Sequence, residues 1–282
     1  MQRMDLHTHS HFSDGTLSPA ALIEHASCSR VDMLALTDHD TLDGLPEARH
    51  AASEHHITLV EGVEISSQWH KPNKKNPFGV HIVALAPKNL APLQELLAAQ
   101  QQIRAQRAVQ ICQKLEKVIK TNPWPEVLAL ADGRAEGVTR SHIASWLVQK
   151  GIVARQQQAF DHYLKEGKSA FVALAWADLK QVLDVINASG GQAVLAHPTR
   201  YGLSATHVRY LAGLFKSLGG HAIELPSSNE PPATRAMMDY LIAQHDLAVS
   251  VASDFHGNNM PWLKLGQVPA VKPNQRGVWE QF

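Results

Sequence analysis

The chain has 282 residues, 44% of them hydrophobic, enough to bury a large core without disulfides as one barrel of roughly 200 to 250 residues or a barrel with a small insert. Lysine plus arginine and aspartate plus glutamate balance at 26 each, which excludes the broad basic footprint of a protein that grips long duplex nucleic acid. No apolar run approaches the roughly 20 residues that span a bilayer, no signal peptide is evident, and Cys28 and Cys112 form no CxxC pair, so a cytoplasmic location without membrane contact is expected.

In chain order, short apolar runs alternate with helical patterns: Met4–Thr8, Pro19–Ser27, Met33–Thr37, Leu45–His55, Ile57–Ile65 and Val80–Ala86. That alternation predicts βα units. From about Leu93 to Lys168 the periodicity is helical, as in Val109-Cys112-Leu115-Val118, with breaks at Asn122-Pro123-Trp124-Pro125 and at Gly133 to Gly137. The alternation then resumes with Leu179–Ala188, Ala193–Ala196, Val208–Leu218, Ala222–Leu225, Pro232–Gln244 and Leu247–Ala252, a Gly-Gly pair preceding two of the strands. The expected organisation is a discontinuous barrel, residues 1–92 and 169–282, with a helical insert at 93–168.

Histidine is the compositional outlier at 17 residues, and its placement is uneven. Asp5-Leu6-His7-Thr8-His9 ends the first strand, Thr37-Asp38-His39-Asp40 the second and Glu61-Gly62-Val63-Glu64 the third, while His81 lies in the fourth. Ala196-His197-Pro198, Glu224 and Ser253-Asp254-Phe255-His256 follow in the C-terminal block. Strand C-termini of parallel βα folds share one face, so these residues should converge there. His-x-His sets both imidazoles on one side of a strand, since side chains alternate with period two. A nitrogen and oxygen donor set without thiolate suits manganese, iron or zinc, and two or more such ions suit phosphoester hydrolysis. Each piece has an ordinary structural reading: a lone His-x-His often belongs to a hydrogen-bonded strand, and Asp38 and Asp40 could equally cap loops. Their coincidence at five or six strand ends favours the metal reading.

His7-Thr8-His9, Thr37-Asp38-His39-Asp40, Glu64, His81, Ala196-His197-Pro198 and Asp254-Phe255-His256, in that order, resemble the polymerase and histidinol phosphatase (PHP) family. The resemblance implies an α/β fold, a distorted (β/α)7 barrel, with a trinuclear divalent-metal centre, manganese being favoured over zinc or iron. It further implies that one ion takes His7, His9, Glu64 and Asp254, that a second shares Glu64 and adds His81 and His197, and that a third takes Asp14, His39 and His256. Glu64, Asp254 and His197 are the expected catalytic residues, and Glu224 has no assigned ligand role and is expected either to support a ligand from behind or to face the substrate. Ser13-Asp14-Gly15 and Arg140-Ser141-His142 narrow the resemblance to the bacterial branch that acts on 3′,5′-nucleoside bisphosphates and on the 5′ ends of short RNA.

Without a broad basic groove, a second phosphate must be held by a few fixed cations, and arginine's fork suits bidentate phosphate contact. Arg104 and Arg107 share a helix face, and Arg140 with His142 lies where Thr139 or Ser141 could cap a new helix. Arg200 follows His197-Pro198. Solvated surface arginines are the ordinary alternative. Among rivals, an amidohydrolase barrel also opens with His-x-His but usually adds a bridging lysine, which has no counterpart here. A histidinol phosphatase-like monoesterase differs only by the insert and its arginines, and a catalytically silent metal scaffold would have lost ligands. The expected substrate is a small nucleotide or short RNA; a monomer is compatible with the sequence, which leaves oligomeric state open.

Overall fold

The computed structural model describes residues 3–72, 76–173, 175–258, 260 and 263–282. β1 (Met4–Thr8), α1 (Pro19–Cys28), β2 (Met33–Leu36), α2 (Leu45–His55) and β3 (Thr58–Trp69) form two parallel βα crossovers. β4 (Phe78–Leu85) turns back beside β3. Five helices follow: α3 (Ala91–Ile119), α4 (Trp124–Ala129), α5 (Arg140–Gln149), α6 (Gln156–Ala159) and α7 (Leu179–Ala188). β5 (Gln192–Leu195), α8 (Ala205–Ser217), β6 (Ala222–Glu224), α9 (Pro232–Gln244) and β7 (Ala248–Ser250) complete the fold as a second parallel run.

The seven strands form one curled sheet whose spatial order follows chain order. The chain after β7 returns to β1: Leu6 N–H donates to Val251 O (3.0 Å), Asp254 N–H to His7 O (3.1 Å), and Thr8 bridges Phe255 in parallel. Asp5 secures the seam from below the site, its buried carboxylate accepting from the backbone N–H groups of Ser253 (2.9 Å) and Gly266 (2.8 Å).

The expected βα alternation fails at the fourth strand. β4 runs antiparallel to both neighbours, because the connection from β3 spans only residues 70–77, too short for a crossover of a dozen or more. His81 therefore reaches the common rim from the first half of its strand, opposite Ser66 and beyond Glu64.

Helix starts follow local chemistry. Ser18, Asp178 and Ser204 accept from the backbone N–H of Ala21, Gln181 and His207, the usual N-cap arrangement. After α7, Gly190 takes φ 71°, a left-handed exit that glycine adopts without steric cost.

α3 is the long element, 29 residues and roughly 43 Å at 1.5 Å per residue. Its first turns bury Leu93, Leu96 and Leu97 in the barrel core with Val182, Leu183 and Ile186. Its later turns bury Ile111, Cys112 and Leu115 in a separate cluster with Val127, Ile143, Trp146 and Leu147. α3 therefore belongs to both clusters, and the 92/93 boundary read from the sequence falls in its first turn, at Pro92. Among the described residues no helix is long and apolar enough to cross a membrane.

Asp5→Ala should orphan two buried N–H donors at about 1–3 kcal/mol each. Urea denaturation of the metal-free protein reads this directly, and a midpoint within error of the parent would remove Asp5 from the seam.

Candidate metal centre

Nine side chains converge at the ends of β1, β2 and β5, in the chain after β7, at the middle of β3 and in the first half of β4. His7 Nε2 and His9 Nε2 lie 3.0 Å apart, His7 on β1 and His9 one residue beyond it, alternation setting both on one side. Both face the same oxygens: Glu64 Oε2 at 3.2 and 3.3 Å, and Asp254 Oδ1 at 3.6 and 3.4 Å. On the other Glu64 oxygen, His81 Nδ1 (2.8 Å) and His197 Nε2 (2.9 Å) meet. Asp14 faces His256 Nε2 at 3.3 Å and His39 Nε2 at 3.8 Å, while His39 Nδ1 stands 2.9 Å from Glu64 Oε2. Four overlapping groups result, each with donor atoms within 4.8 Å of one another: His9, Asp14, His39 and His256; His7, His9 and Asp254; His7, Glu64 and His197; His39, Glu64 and His81.

Backbone geometry holds these ends in place. Asp40 N–H donates to Glu64 O (3.0 Å), and a parallel bridge between His39 and Glu64 clips the loop after β2 onto β3. Asp40, His197 and Asp254 have φ of 52°, 28° and 57°, left-handed conformations that cost non-glycine residues of order 1–3 kcal/mol and persist only where surroundings enforce them.

The donor set fits divalent cations on its own chemistry. Asp14 Oδ1, His39 Nδ1 and Glu64 Oε2 are buried without a hydrogen-bond partner, a costly state for polar atoms. Outer partners set the imidazoles: Glu224 Oε2 lies 2.9 Å from His7 Nδ1, Ser13 Oγ 3.2 Å from His9 Nδ1, and the Asp254 carbonyl 2.8 Å from His256 Nδ1. Each occupies one ring nitrogen and turns the other inward, the usual support of a metal-binding histidine. Glu224, given no ligand role from sequence, is thereby an orienting carboxylate. Asp38 does not face the cluster; it accepts from Ser10 N–H (2.7 Å), Ser10 Oγ (2.6 Å) and Ser13 Oγ (2.7 Å), tying down the loop that carries Asp14.

The electrostatics match. Burial alone would raise the Glu64 carboxyl, yet His39, His7 and His81 hold it well below the usual range. Asp14 and Asp254 are likewise held low against burial, chiefly by His256. Burial opposes charge on His9, but Asp254 and Glu64 outweigh it and lift the ring to about 9. His7 is raised well above its ordinary value against burial, by Glu64, Asp254 and Glu224.

Beside the cluster lies a cavity of about 130 Å³ that shares Asp14, His39 and His81 with it and is otherwise lined by Ser66, Arg104, Arg107, Thr139, Arg140, Phe160 and Trp176, with apolar side chains beneath. Arg104 and Arg107 of α3 lie over the Trp176 ring at 5.1 and 5.8 Å, and Arg140 over Phe160 at 5.6 Å. Burial and the like charges of Arg140 and Arg104 pull Arg107 below its usual range, and burial with Arg104 does the same to Arg140. Thr139 caps α5 and donates to Asp14 Oδ2 (3.1 Å), joining the insert to the cluster.

Three substrate candidates sit differently from the sequence reading. Arg104 is buried and paired with fully buried Asp40 and with Ser66 Oγ (2.7 Å), leaving only part of its fork for the cavity. His142 is engaged in the capping box of α5, its Nδ1 accepting from Thr139 N–H (3.0 Å), and is not among the lining residues, because at the third helical position it folds back on the cap. Arg200 also lies off the cavity; it pairs with Asp254 Oδ2 at 2.7 Å, since the 3-10 turn Pro198–Tyr201 carries it over the opposite side of the cluster. Phe160 and Trp176 escaped sequence reasoning, as neither position carries a periodic signal.

A curled seven-stranded α/β barrel with such a cluster at its rim defines a metal-dependent phosphoesterase, a hydrolase. The model of the PHP domain family matches residues 5–175. The chain is 42% identical over 284 residues to a 5′-3′ exoribonuclease of Haemophilus influenzae, covering 100% of this chain and 99% of that protein. It is 33% identical over 286 residues to a 3′,5′-nucleoside bisphosphate phosphatase of Chromobacterium violaceum, covering 100% and 97%. A solved Chromobacterium violaceum structure, described as an amidohydrolase with bound sulfate and no metal, matches with a TM-score of 0.90 at 33% identity, covering 99% and 95%. The chain belongs to the PHP family.

Because Asp254 and Glu64 lift His9 to about 9 against burial and a ligating imidazole must be neutral, divalent metal uptake near neutral pH should release protons. Affinity should rise with pH up to about 9, where His9 loses its proton, and fall as pH drops. Titration calorimetry at pH 7 in two buffers of different ionisation enthalpy measures the release; identical heats would contradict it.

Proposed function

We propose that this chain hydrolyses 3′,5′-nucleoside bisphosphates and trims short 5′-phosphorylated RNA from its 5′ end, using three divalent ions, manganese ahead of zinc or iron. The observation that carries this reading is the arginine-lined cavity abutting the donor cluster: a site for a phosphate to be cleaved adjoins a site for a phosphate to be recognised. A monoester such as histidinol phosphate has no second phosphate to engage these arginines. The names of the Haemophilus influenzae and Chromobacterium violaceum relatives support the same substrate classes.

His7, His9, Glu64 and Asp254 would hold one ion; Glu64, His81 and His197 a second; Asp14, His39 and His256 a third. Ions so bound supply Lewis-acid activation of water and neutralise charge on the phosphoryl oxygens. Glu64 presents one oxygen to His7, His9 and His39 and the other to His81 and His197, so it would bridge. Glu64, Asp254 and His197 are the catalytic residues of this reading. Arg107 and Arg140, aided by the N-terminus of α5, would hold the other phosphate, and the insert of residues 93–168 would close over the metal face. Arg104 aligns that wall from its pair with Asp40, whereas His142 and Arg200 would act through the cap and through Asp254.

Glu64→Gln should lose an ion and nearly all turnover, whereas Asp38→Asn, which alters loop support, should keep its metal and most activity. Metal analysis with kinetics on the manganese-reconstituted variants separates them, and the reverse pattern would refute the ligand assignment.

Arg140→Ala is the cleaner probe of the second phosphate, because removing Arg104 would strand the buried Asp40 charge and destabilise the fold by about 3–5 kcal/mol. One lost charge-assisted contact is worth about 1.5–3 kcal/mol, so kcat/KM on adenosine 3′,5′-bisphosphate should fall roughly ten- to a hundredfold while an aryl phosphate is hardly affected. An equal loss on both would put Arg140 at the reacting phosphate.

A further inference from the structure

An aromatic series outside the phosphate cavity leads from the metal cluster to the surface. The His197 ring meets Tyr201 edge-on at 5.4 Å, Tyr201 meets Phe78 at 6.0 Å, Phe78 meets Trp69 at 6.5 Å, and Trp69 stacks on Tyr210 at 6.0 Å with 24° between planes. The inner rings are fixed. The Tyr201 hydroxyl donates to Ala196 O and accepts from His81 N–H, both at 2.8 Å, and Trp69 is 3% exposed. The outermost ring is different: Tyr210, on the first half of α8, is 50% exposed, one of few large hydrophobic side chains so placed among the described residues. His207, one turn earlier on the same helix face, meets Trp69 at 6.4 Å.

Positive charge accompanies the rings. Lys71, two residues after Trp69, lies 3.7 Å over the Phe78 ring. Lys74 and Lys75 follow in sequence, outside the described residues, and are no part of the surface assigned here. Exposed aromatics backed by rigid ones and interleaved with cations are what single-stranded nucleic acid uses, bases stacking on rings while cations track the backbone. Duplex is excluded by the neutral overall charge, and an apolar protein partner does not call for lysine over the ring.

We infer that Tyr210, stacked on Trp69 and flanked by His207 and Lys71, receives a base of the single-stranded RNA that trails from the metal cluster, and so favours oligomers over mononucleotides. This rests on the RNA limb of the proposed function. Neither the donor cluster nor the arginine cavity contains these residues, so a bisphosphate held by those two sites alone would not engage them.

The test compares the manganese-loaded parent, Tyr210→Ala and Tyr210→Phe on a 5′-phosphorylated RNA hexamer and on adenosine 3′,5′-bisphosphate, with hexamer binding measured separately by fluorescence anisotropy in EDTA. Tyr210→Ala should raise the hexamer KM and weaken hexamer binding by roughly five- to a hundredfold, the span of one base–aromatic stack, and leave bisphosphate kinetics within about twofold. Tyr210→Phe, which keeps the ring, should match the parent. Unchanged hexamer binding in Tyr210→Ala, or equal losses on both substrates, overturns the inference while leaving RNA cleavage standing. Hexamer that binds through Tyr210 but is not hydrolysed upholds the surface and removes the RNA limb of the proposed function. Absence of hexamer binding by the parent overturns the inference.

Discussion

A carboxylate with no exposure to water is stable in its charged form only when cations or donors surround it, and Glu64 is in that position at the centre of this molecule. Histidines from both ends of the chain supply the compensation, His7 and His9 from β1, His39 after β2, His81 from β4 and His197 after β5. Their mutual proximity is tolerable only with Glu64, Asp14 and Asp254 among them. In the function proposed here the same atoms would become ligands to divalent ions, which would satisfy the orphaned oxygens and nitrogens.

Much of the remaining structure follows from presenting those atoms inward. The seam between β1 and the chain after β7 sets Asp254 against His7, and buried Asp5 ties that seam beneath the site. Positive φ at Asp40, His197 and Asp254 is the conformational cost of turning strand ends toward one point. Glu224, Ser13 and the Asp254 carbonyl choose which imidazole nitrogen faces the centre. The insert joins the same system through Thr139 on Asp14 and Arg104 on Asp40, so the wall carrying Arg107 and Arg140 is positioned by contacts to the donor loops themselves.

Residue types and their spacing at strand ends were legible from sequence alone, because strand alternation and the common rim of parallel βα units are local rules. His-x-His on β1, the Asp-His-Asp after β2 and the Asp-Phe-His after β7 announced a nitrogen and oxygen donor set, and the balanced charge required that anion recognition be local. Helical periodicity marked α3, and of the two capping residues the sequence offered, Thr139 and Ser141, the structure uses Thr139 to start α5. Only tertiary structure decided the rest. The reversal of β4 depends on the short span from β3, and it sends His81 to the rim from the beginning of its strand. The pairing of Arg104 with Asp40, of Arg200 with Asp254, of Glu224 with His7 and the folding of His142 onto its own cap are contacts between side chains whose sequence neighbourhoods look like ordinary surface or loop. Sequence determines which groups can bind a cation or an anion through their chemistry; whether a guanidinium is free for substrate or held by a carboxylate depends on distances that only the packed chain sets.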